Sequence, residues 1–515
     1  MSSDIPTPDE KRSIETSASE EIIGQLDAKL LALGLSDDDA YRKVLRRVDL
    51  RIMPLVLLQY LFMRVDVTNI SNAAIMNLEQ KTDIKTQLHL SAQQWVWVVA
   101  CFYYPCNTAA SSRSTFIRPK LLHADMFLEP ISTILLKKTS APVWLSRIMV
   151  SWGIVTACIA ATTSYGVLIT TRVLVGALEA GYFPCIYVEM HLNELAIRVA
   201  ALYSMASLSG FISGFLAYAI SYADGVLSGW QWLFILEGIP PVLIGILTFF
   251  VLPSYPEKSN WLSAEEKELI LKHLHKDAPT IHGKTFDWHA TRLLFTDPTF
   301  YSFTAAWICA GVGGSGISFS LPTVIKDLGF TDSRMANVRT MPPSFTAFAL
   351  VLVLGRLVQT GKINPFPVVI ILDLVIIACY IVLLYVNKVG VRYFVLVVST
   401  GASGSLYPML WPKRVQALRG TAMAGLGIGL HNASAQFSGI LGPQIFSPAY
   451  GPAYKVSFKV SIALLAGAVF FHSLVWFFMH APIQKYVPSL AQRVQAQTQL
   501  RKGDLHEKRN VGSAV

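Results

Sequence analysis

The chain is poor in charged residues. Asp, Glu, Lys and Arg together make up 15% of its 515 residues, whereas 53% are hydrophobic. Soluble domains carry about 25% charged residues, because charge covers the surface that faces water. The shortage of charge excludes an ordinary soluble fold, since there is more apolar surface than a core of this size hides. The surplus is predicted to face lipid.

Several chemical signatures are also missing. The six cysteines show neither the paired spacing of a zinc site nor the density of a disulfide scaffold. No phosphate-binding loop, HExxH helix or nucleophile elbow occurs. We therefore expect no enzyme, no metal site and no cofactor. The polar first fifty residues lack the basic start, apolar stretch and cleavage site of a signal peptide.

Long apolar runs are what the sequence has in excess. A helix needs about 20 residues to cross a hydrocarbon layer about 30 Å thick. Twelve runs approach this length, the second of them interrupted, and they predict an all-α membrane protein with twelve transmembrane helices. They are 52–75, 94–105 resuming at 127–136, 145–164, 166–188, 200–221, 234–252, 300–322, 340–360, 366–386, 391–411, 421–446 and 458–480.

A polar connection divides the spans into two sets of six. The predicted segments are a tail (1–50), a six-helix bundle (51–252), a central loop (253–298), a second six-helix bundle (299–480) and a final tail (481–515). The formal charge is +10, but the basic residues lie in short stretches between apolar runs, which speaks against nucleic-acid binding. By the positive-inside tendency, both tails and the central loop are predicted to be cytoplasmic.

Ionisable residues inside predicted spans are the main functional candidates. Such residues are costly in lipid, so they usually face a cavity or a partner. Arg64 and Asp66 lie in the first span. Arg172 and Glu179 lie seven residues apart in the fourth, on one helix face. They are interpreted as an anion-attracting and proton-accepting patch, or alternatively as structural ion pairs.

Other polar residues have weaker interpretations. His431 and Asn432 lie in a polar cluster of the eleventh span, GLHNASAQFSG, which suits anion binding or hydrogen bonds between helices. Glu237 lies close to Trp230 and Trp232, which predicts an anchor at the membrane interface, with a role in coupling as the alternative. Asp373 is an isolated carboxylate of the ninth span, interpreted as a proton site or a helix-end residue.

Several motifs recur in the order found in one transporter family. RRVDLR, TRVLVGALEAGYFP, GWQWLFILEGIP, LPSYPEKSNWLSAEEK, SFSLPTVIKDLGF and ALRGTAMAGLGIGLHNASAQFSGILGPQIF resemble the fungal allantoate and nicotinate permeases. That group belongs to the anion:cation symporters of the major facilitator superfamily. The resemblance runs from about residue 42 to about residue 482. It departs from the family where an Asp-Arg pair becomes Asp66-Val67, with Arg64 nearby, and where Trp-Arg-Trp becomes Trp230-Gln231-Trp232.

The resemblance implies a plasma-membrane carrier with two six-helix bundles in the major facilitator fold and a substrate site between them. Its expected partners are a small carboxylate such as nicotinate, allantoate or pantothenate, protons and the bilayer, with no nucleic acid and a monomeric state. Alternating access then makes Asp66 and Glu179 candidates for proton coupling. The candidate substrate-binding residues are Arg64, Arg172, His431 and Asn432.

The second span contains an anomaly. WVWVVACFYYPC breaks off before NTAASSRSTFIRPKLLHAD, and MFLEPISTILLKK resumes the apolar pattern. A bilayer helix should not contain such a stretch, so 107–126 is interpreted as an aberrant insertion, either a retained intron or a genuine loop. Excision with restoration of one Tyr yields FYYPYMFLEPISTILLKK, a continuous span. The alternatives to transport are a non-transporting nutrient sensor on the same fold and an inactive product of mis-splicing.

Overall fold

The computed structural model describes most of the apolar part of the chain. The described residues are 36–103, 139–179, 182, 195–223, 225–252, 261–273, 294–329, 332–417, 427, 430–431 and 434–480. The 107–126 stretch, residues 1–35, residues 481–515 and Asn432 therefore lie outside the described residues. The predicted boundaries of the two bundles and of the loop between them stay predictions.

Helices make up the first half of the described chain. Ser36 caps α1, because its side chain accepts a hydrogen bond from the backbone N–H of Asp39. Ser91 and Gln94 form a reciprocal capping box at the start of α3. The helices are α1 (Asp37–Ala73), α2 (Ile84–Gln87), α3 (Ala92–Ala100), α4 (Ala141–Cys158), α5 (Tyr165–Glu179), α6 (Leu195–Ile220), α7 (Gly229–Val251) and α8 (Ala264–His273).

The second half is helical as well, and no strand occurs among the described residues. The helices α9, α10, α12 and α13 have proline in their first turn. Proline is tolerated there because the N–H groups of the first turn have no acceptor within the helix. The helices are α9 (Pro298–Ala310), α10 (Leu321–Asp327), α11 (Ser333–Val338), α12 (Met341–Gln359), α13 (Pro365–Tyr385), α14 (Val389–Ala417), α15 (Phe437–Ile445) and α16 (Lys455–Met479).

Eight helical stretches of the described chain are long and apolar enough to cross a membrane. They are Pro142–Ala161, Ala200–Ile220, Gly229–Val251, Pro298–Asp327, Ser333–Gln359, Pro365–Tyr385, Val389–Arg414 and Lys455–Met479. The described parts of the other four predicted spans are also helical, in α1, α3, α5 and α15. The all-α membrane fold is confirmed, and the count of twelve spans stays a prediction.

Close helix contacts assemble each half. Gly153 of α4 and Gly238 of α7 face each other, so the two backbones come together without side chains between them. Gln59 of α1 donates a hydrogen bond to Thr248 of α7 over 2.6 Å, and Tyr182 donates to Gln59 over 2.9 Å. The halves meet along α6 and α12, where a Cβ on Gly210 would touch the hydroxyl of Ser344.

The two ends of the molecule are recognised by their hydrogen bonds. We call the end where α1 begins the near end; there Arg198 of α6 pairs with Asp49 over 2.8 Å. The opposite end is called the far end; there Trp230, at the start of α7, donates to Gln87 of α2 over 2.7 Å.

Candidate functional site

A cavity of about 300 Å³ lies between the two halves. In the first half it is lined by α1, α5, α6 and the 3-10 turn Cys101–Tyr103. In the second half it is lined by α10 and the turns that precede it, by α12 and its first cap, by α14 and by the residues around α15. It lies between the two halves, where the sequence resemblance implies a substrate site. The volume is at the lower end of the range of small-molecule sites, about 300–1,000 Å³.

Among the described residues, the two charged ones that line the cavity both belong to the wall from the first half. Arg64 of α1 and Glu179 of α5 face it, and the two side chains interact electrostatically. Tyr60, Tyr103 and Tyr203 lie around the Arg64 guanidinium. The Nε atom of Arg64 is buried and has no hydrogen-bond partner among the described residues. This wall can therefore bind an anion and pack an aromatic ring beside it.

The wall from the second half contains no charged residue among those described. Most of its side chains are small or carry a hydroxyl, and the rest are the amide of Gln436 and the apolar Phe319, Leu321 and Pro322. The hydroxyls of Ser315 and Ser403 are hydrogen-bonded to each other over 2.9 Å. Tyr407 donates to the backbone carbonyl of Trp307 over 3.1 Å. This wall offers hydrogen bonds without charge.

The seventh predicted span is irregular where it meets the cavity. A π-helical turn at Gly311–Ser315 and a 3-10 turn at Gly316–Ser320 interrupt the segment between α9 and α10. Tyr407 packs against Gly311 and Gly442 packs against Gly316, and the missing side chains of these glycines make such close approach possible. The irregular turns place Ser315 and Ser318 in the cavity wall. No sequence pattern distinguished these serines from packing residues.

Two predicted site residues lie behind the cavity wall. The guanidinium of Arg172 stacks over the ring of Phe102 at 4.9 Å, and Phe102 lines the cavity. Asp66 is buried and accepts a long hydrogen bond of 3.5 Å from Thr156. Arg172 lies within electrostatic range of both Asp66 and Glu179. The four ionisable residues predicted from the first and fourth spans thus form one connected cluster.

His431 lies away from this cluster. Its ring is buried against Phe300, Phe303 and Trp307, with centroid distances of 5.3, 6.0 and 6.4 Å, and it is not among the cavity-lining residues. The guanidinium of Arg414 stacks on the same two phenylalanines. A direct contact between His431 and substrate stays a prediction, as does the role of Asn432, which lies outside the described residues.

The interpretation of Glu237 as an interfacial anchor is wrong. Its side chain is 1% exposed and accepts a hydrogen bond of 3.2 Å from Ser213 of α6. The neighbouring tryptophans suggested an interface, but Glu237 lies about two turns inside α7, which continues for about four further turns to Val251. Because α7 turns Glu237 toward α1 and α6, the residue faces the interior of the first half.

The halves are held together at the far end. Glu79 accepts hydrogen bonds from the backbone N–H and the hydroxyl of Ser333, and pairs with Lys326 over 3.3 Å. Arg334 stacks over the ring of Tyr222 at 4.5 Å. Ser71 of α1 donates to the carbonyl of Phe319 over 2.8 Å. These contacts close the cavity toward the far end.

A family model for the Major Facilitator Superfamily matches residues 60–443. The chain belongs to this superfamily. Its fold and relatives are those of membrane transporters, and they confirm the prediction that the chain is not an enzyme. The finer assignment to the anion:cation symporters is a proposal taken up below.

Three similar proteins illustrate the range of relatives. The MFS transporter prlL of a fungus (Fungal sp.) is 29% identical over 318 residues, 61% of this chain and 60% of that protein. An Agrobacterium vitis protein named provisionally as a tartrate transporter is 26% identical over 428 residues, 80% of this chain and 86% of its own length. The human organic anion transporter MFSD10 (TETRAN) has the same fold, with a TM-score of 0.57 and 13% identity over 82% of this chain and 99% of that structure.

Proposed function

We propose that the chain is a proton-coupled importer of a small organic carboxylate that works by alternating access. The observation that supports this best is the cavity between the halves, in which Arg64 faces Glu179. The sequence motifs resemble those of the nicotinate and allantoate permeases of the anion:cation symporters. The relative named for tartrate is in keeping with a carboxylate substrate.

The cavity fits nicotinate better than a larger or more highly charged ligand. Arg64 is the one cation among the described lining residues, so it can neutralise a single carboxylate. The tyrosines around it offer faces and edges for an aromatic ring. The hydroxyl wall of the second half can then hydrogen-bond the ring nitrogen. Allantoate and pantothenate are the next candidates.

Proton coupling follows from competition for Arg64. When Glu179 is ionised, it is itself an anion beside the guanidinium and opposes a second carboxylate. A proton on Glu179 removes that opposition and leaves Arg64 for the substrate. Asp66 and Arg172 lie behind the wall and influence the charge of Glu179, because each lies within electrostatic range of it. Substrate and proton would therefore bind together and leave together.

The proposed setting is the plasma membrane with both tails in the cytoplasm. The near end then faces the cytoplasm and the far end faces the outside. The far-end contacts of Glu79, Lys326 and Ser333 would form an outer closure that must open to admit substrate.

The test is uptake of labelled nicotinate, with allantoate, pantothenate and tartrate as competitors, by cells expressing the chain. A second form, in which Cys106–Asp125 is replaced by one Tyr, addresses the insertion. Uptake that rises at acidic external pH and is abolished by a protonophore is the expected result. Uptake that changes neither with external pH nor with the protonophore would contradict proton coupling. Saturable binding without uptake, by either correctly localised form, would favour the sensor.

A further inference from the structure

Glu237 is a buried carboxyl group that the proposed cycle does not use. It lies on α7, with 1% of its surface exposed, and Ser213 Oγ donates to its Oε1 over 3.2 Å. The same hydroxyl accepts from Asn72 Nδ2 over 2.8 Å, and Asn72 lines the cavity. Two hydrogen bonds therefore connect the cavity wall to Glu237.

The charges around Glu237 do not favour an ionised carboxylate. Asp66 of α1 is the charged residue that faces it, and its charge has the same sign. Of the basic residues on the packed helices, Arg147 of α4 is exposed and Arg198 of α6 is paired with Asp49. On α1, Arg64 lines the cavity beside Glu179, and the other basic residues lie at the near end, between Arg42 and Arg51. A buried carboxylate without a cation is costly, and such groups usually take up a proton instead.

The hydrogen bonds also leave room for a proton. Glu237 Oε2 and Asn69 Oδ1 are both buried without a hydrogen-bond partner among the described residues, and Asn69 lies beside Glu237. A proton on Oε2 would supply the donor that both atoms lack. Ionised Glu237 could instead accept from Asn69 Nδ2, which is also buried without a partner among the described residues. Asn69 Oδ1 would then still lack a donor, and the charge would lie next to that of Asp66.

The net charge of the buried cluster in the first half also favours one bound proton. Among the described residues it contains the guanidinium groups of Arg64 and Arg172 and the carboxyl groups of Asp66, Glu179 and Glu237. With all five ionised, the cluster has one uncompensated negative charge in a region of low dielectric constant. One bound proton makes it neutral.

We propose that Glu237 is a proton-binding site of the first half, connected to the cavity through Ser213 and Asn72. The site holds a proton while the cavity is empty and exchanges it during the transport cycle. The second statement rests on the proposed function, whereas the first does not.

Infrared spectroscopy of the purified protein without substrate tests the first statement. At neutral pH the wild type should show a carboxylic acid C=O band that disappears in Glu237→Gln and shifts in Ser213→Ala. Glu265→Gln, on α8 outside the spans, is the control and should leave this band unchanged. A band unaltered by Glu237→Gln would overturn the proposal, because it would show that the carboxyl group is ionised.

Transport in proteoliposomes tests the second statement. Glu237→Gln resembles a permanently protonated Glu237, so it should exchange labelled for unlabelled substrate at the wild-type rate. Under a gradient of about one pH unit its accumulation should fall by up to ~10-fold, the share that one coupled proton supports, while the share that Glu179 supports remains. Full accumulation by Glu237→Gln would overturn the exchange step. If the wild type transports nothing, the proposed function fails, and the infrared result still decides protonation.

Discussion

Arg64 is the residue on which the proposed chemistry depends most. It is a cavity-lining cation with a buried, unpartnered Nε, among tyrosines that are themselves neutral. A buried guanidinium that lacks its full set of hydrogen bonds costs free energy, which a bound carboxylate recovers. The residue is therefore best explained as a binding group, and Glu179 as the group that competes for it.

Substituting Arg64 tests this explanation. In Arg64→Gln the charged hydrogen bonds to substrate are lost, at about 1.5–3 kcal/mol, so apparent Km for the carboxylate should rise about 10- to 100-fold. Arg64→Lys keeps the charge without the planar fork and should recover part of the affinity. The measurement is concentration-dependent uptake.

Arg147→Gln provides the matched control, since it removes an exposed guanidinium from the same half. Its Km should equal that of the wild type. Equal Km values for Arg64→Gln and Arg147→Gln would remove Arg64 from the binding site.

At the scale of helices, the contact between α4 and α7 depends on glycine. A Cβ on Gly238 would lie 2.7 Å from the carbonyl oxygen of Gly153 and 2.8 Å from the backbone nitrogen of Ala157. Gly238→Ala must therefore push the helices apart, and overpacking of this kind costs about 1–3 kcal/mol. The expected result is less folded protein after heating in detergent.

Gly166→Ala is the control for that substitution. Gly166 lies in α5, and a Cβ there would meet nothing within 4 Å. Alanine has the higher helix propensity, so stability should stay equal or rise by up to ~1 kcal/mol. If both variants lost the same stability, close packing of α4 on α7 would not be the cause.

The far-end closure should depend on pH through Glu79. Burial raises the pKa of Glu79, but the hydrogen bonds from Ser333 and the charge of Lys326 outweigh it and hold that pKa below its ordinary value. A lowered pKa means that the contact is fully present above the ordinary carboxyl pKa. The contact is lost as pH falls through the lowered pKa of Glu79 in the folded protein. Acid should therefore loosen the closure.

Spin labels measure this movement. Val226 of the first half and Tyr385 of the second are exposed near the far end, and labelled cysteines there report the separation of the halves. The background should lack the native cysteines. The distance between the labels should be longer in Glu79→Gln at neutral pH and in the parent at acidic pH. Acid should cause no further lengthening in Glu79→Gln. Labels at Tyr385 and Tyr450, both in the second half, should not move. A pH response that persists in Glu79→Gln would assign it to another group.

At the scale of the whole molecule, ligand binding should stabilise the fold. A ligand that binds only the folded state adds about 2.7 kcal/mol when its concentration is 100 times Kd. Nicotinate should therefore raise the temperature at which the detergent-solubilised protein unfolds, and more at acidic than at neutral pH. Pyridine, which has the ring without the carboxylate, serves as the ligand control. An equal rise with pyridine would show that Arg64 does not select the substrate.

The sequence predicted the lipid-facing helices and four members of the buried charge cluster well. Apolar runs of spanning length are local features, and an ionisable residue within one is conspicuous because lipid makes its charge costly. Glu237 was misjudged because its orientation is not a local feature of the sequence. Its tryptophan neighbours suggested an interface, whereas the direction in which α7 turns the side chain depends on α1 and α6.

By itself, the sequence determined that the chain is an all-α membrane protein of a transporter superfamily, with candidate charges at Arg64, Asp66, Arg172 and Glu179. Only the tertiary structure decided that Arg64 and Glu179 face the cavity while Arg172 and Asp66 lie behind it. It also placed His431 among phenylalanines and Glu237 beside Ser213. Composition and periodicity indicate which segments can form membrane-spanning helices. Which face of a helix meets which neighbour is decided by contacts between residues far apart in the chain.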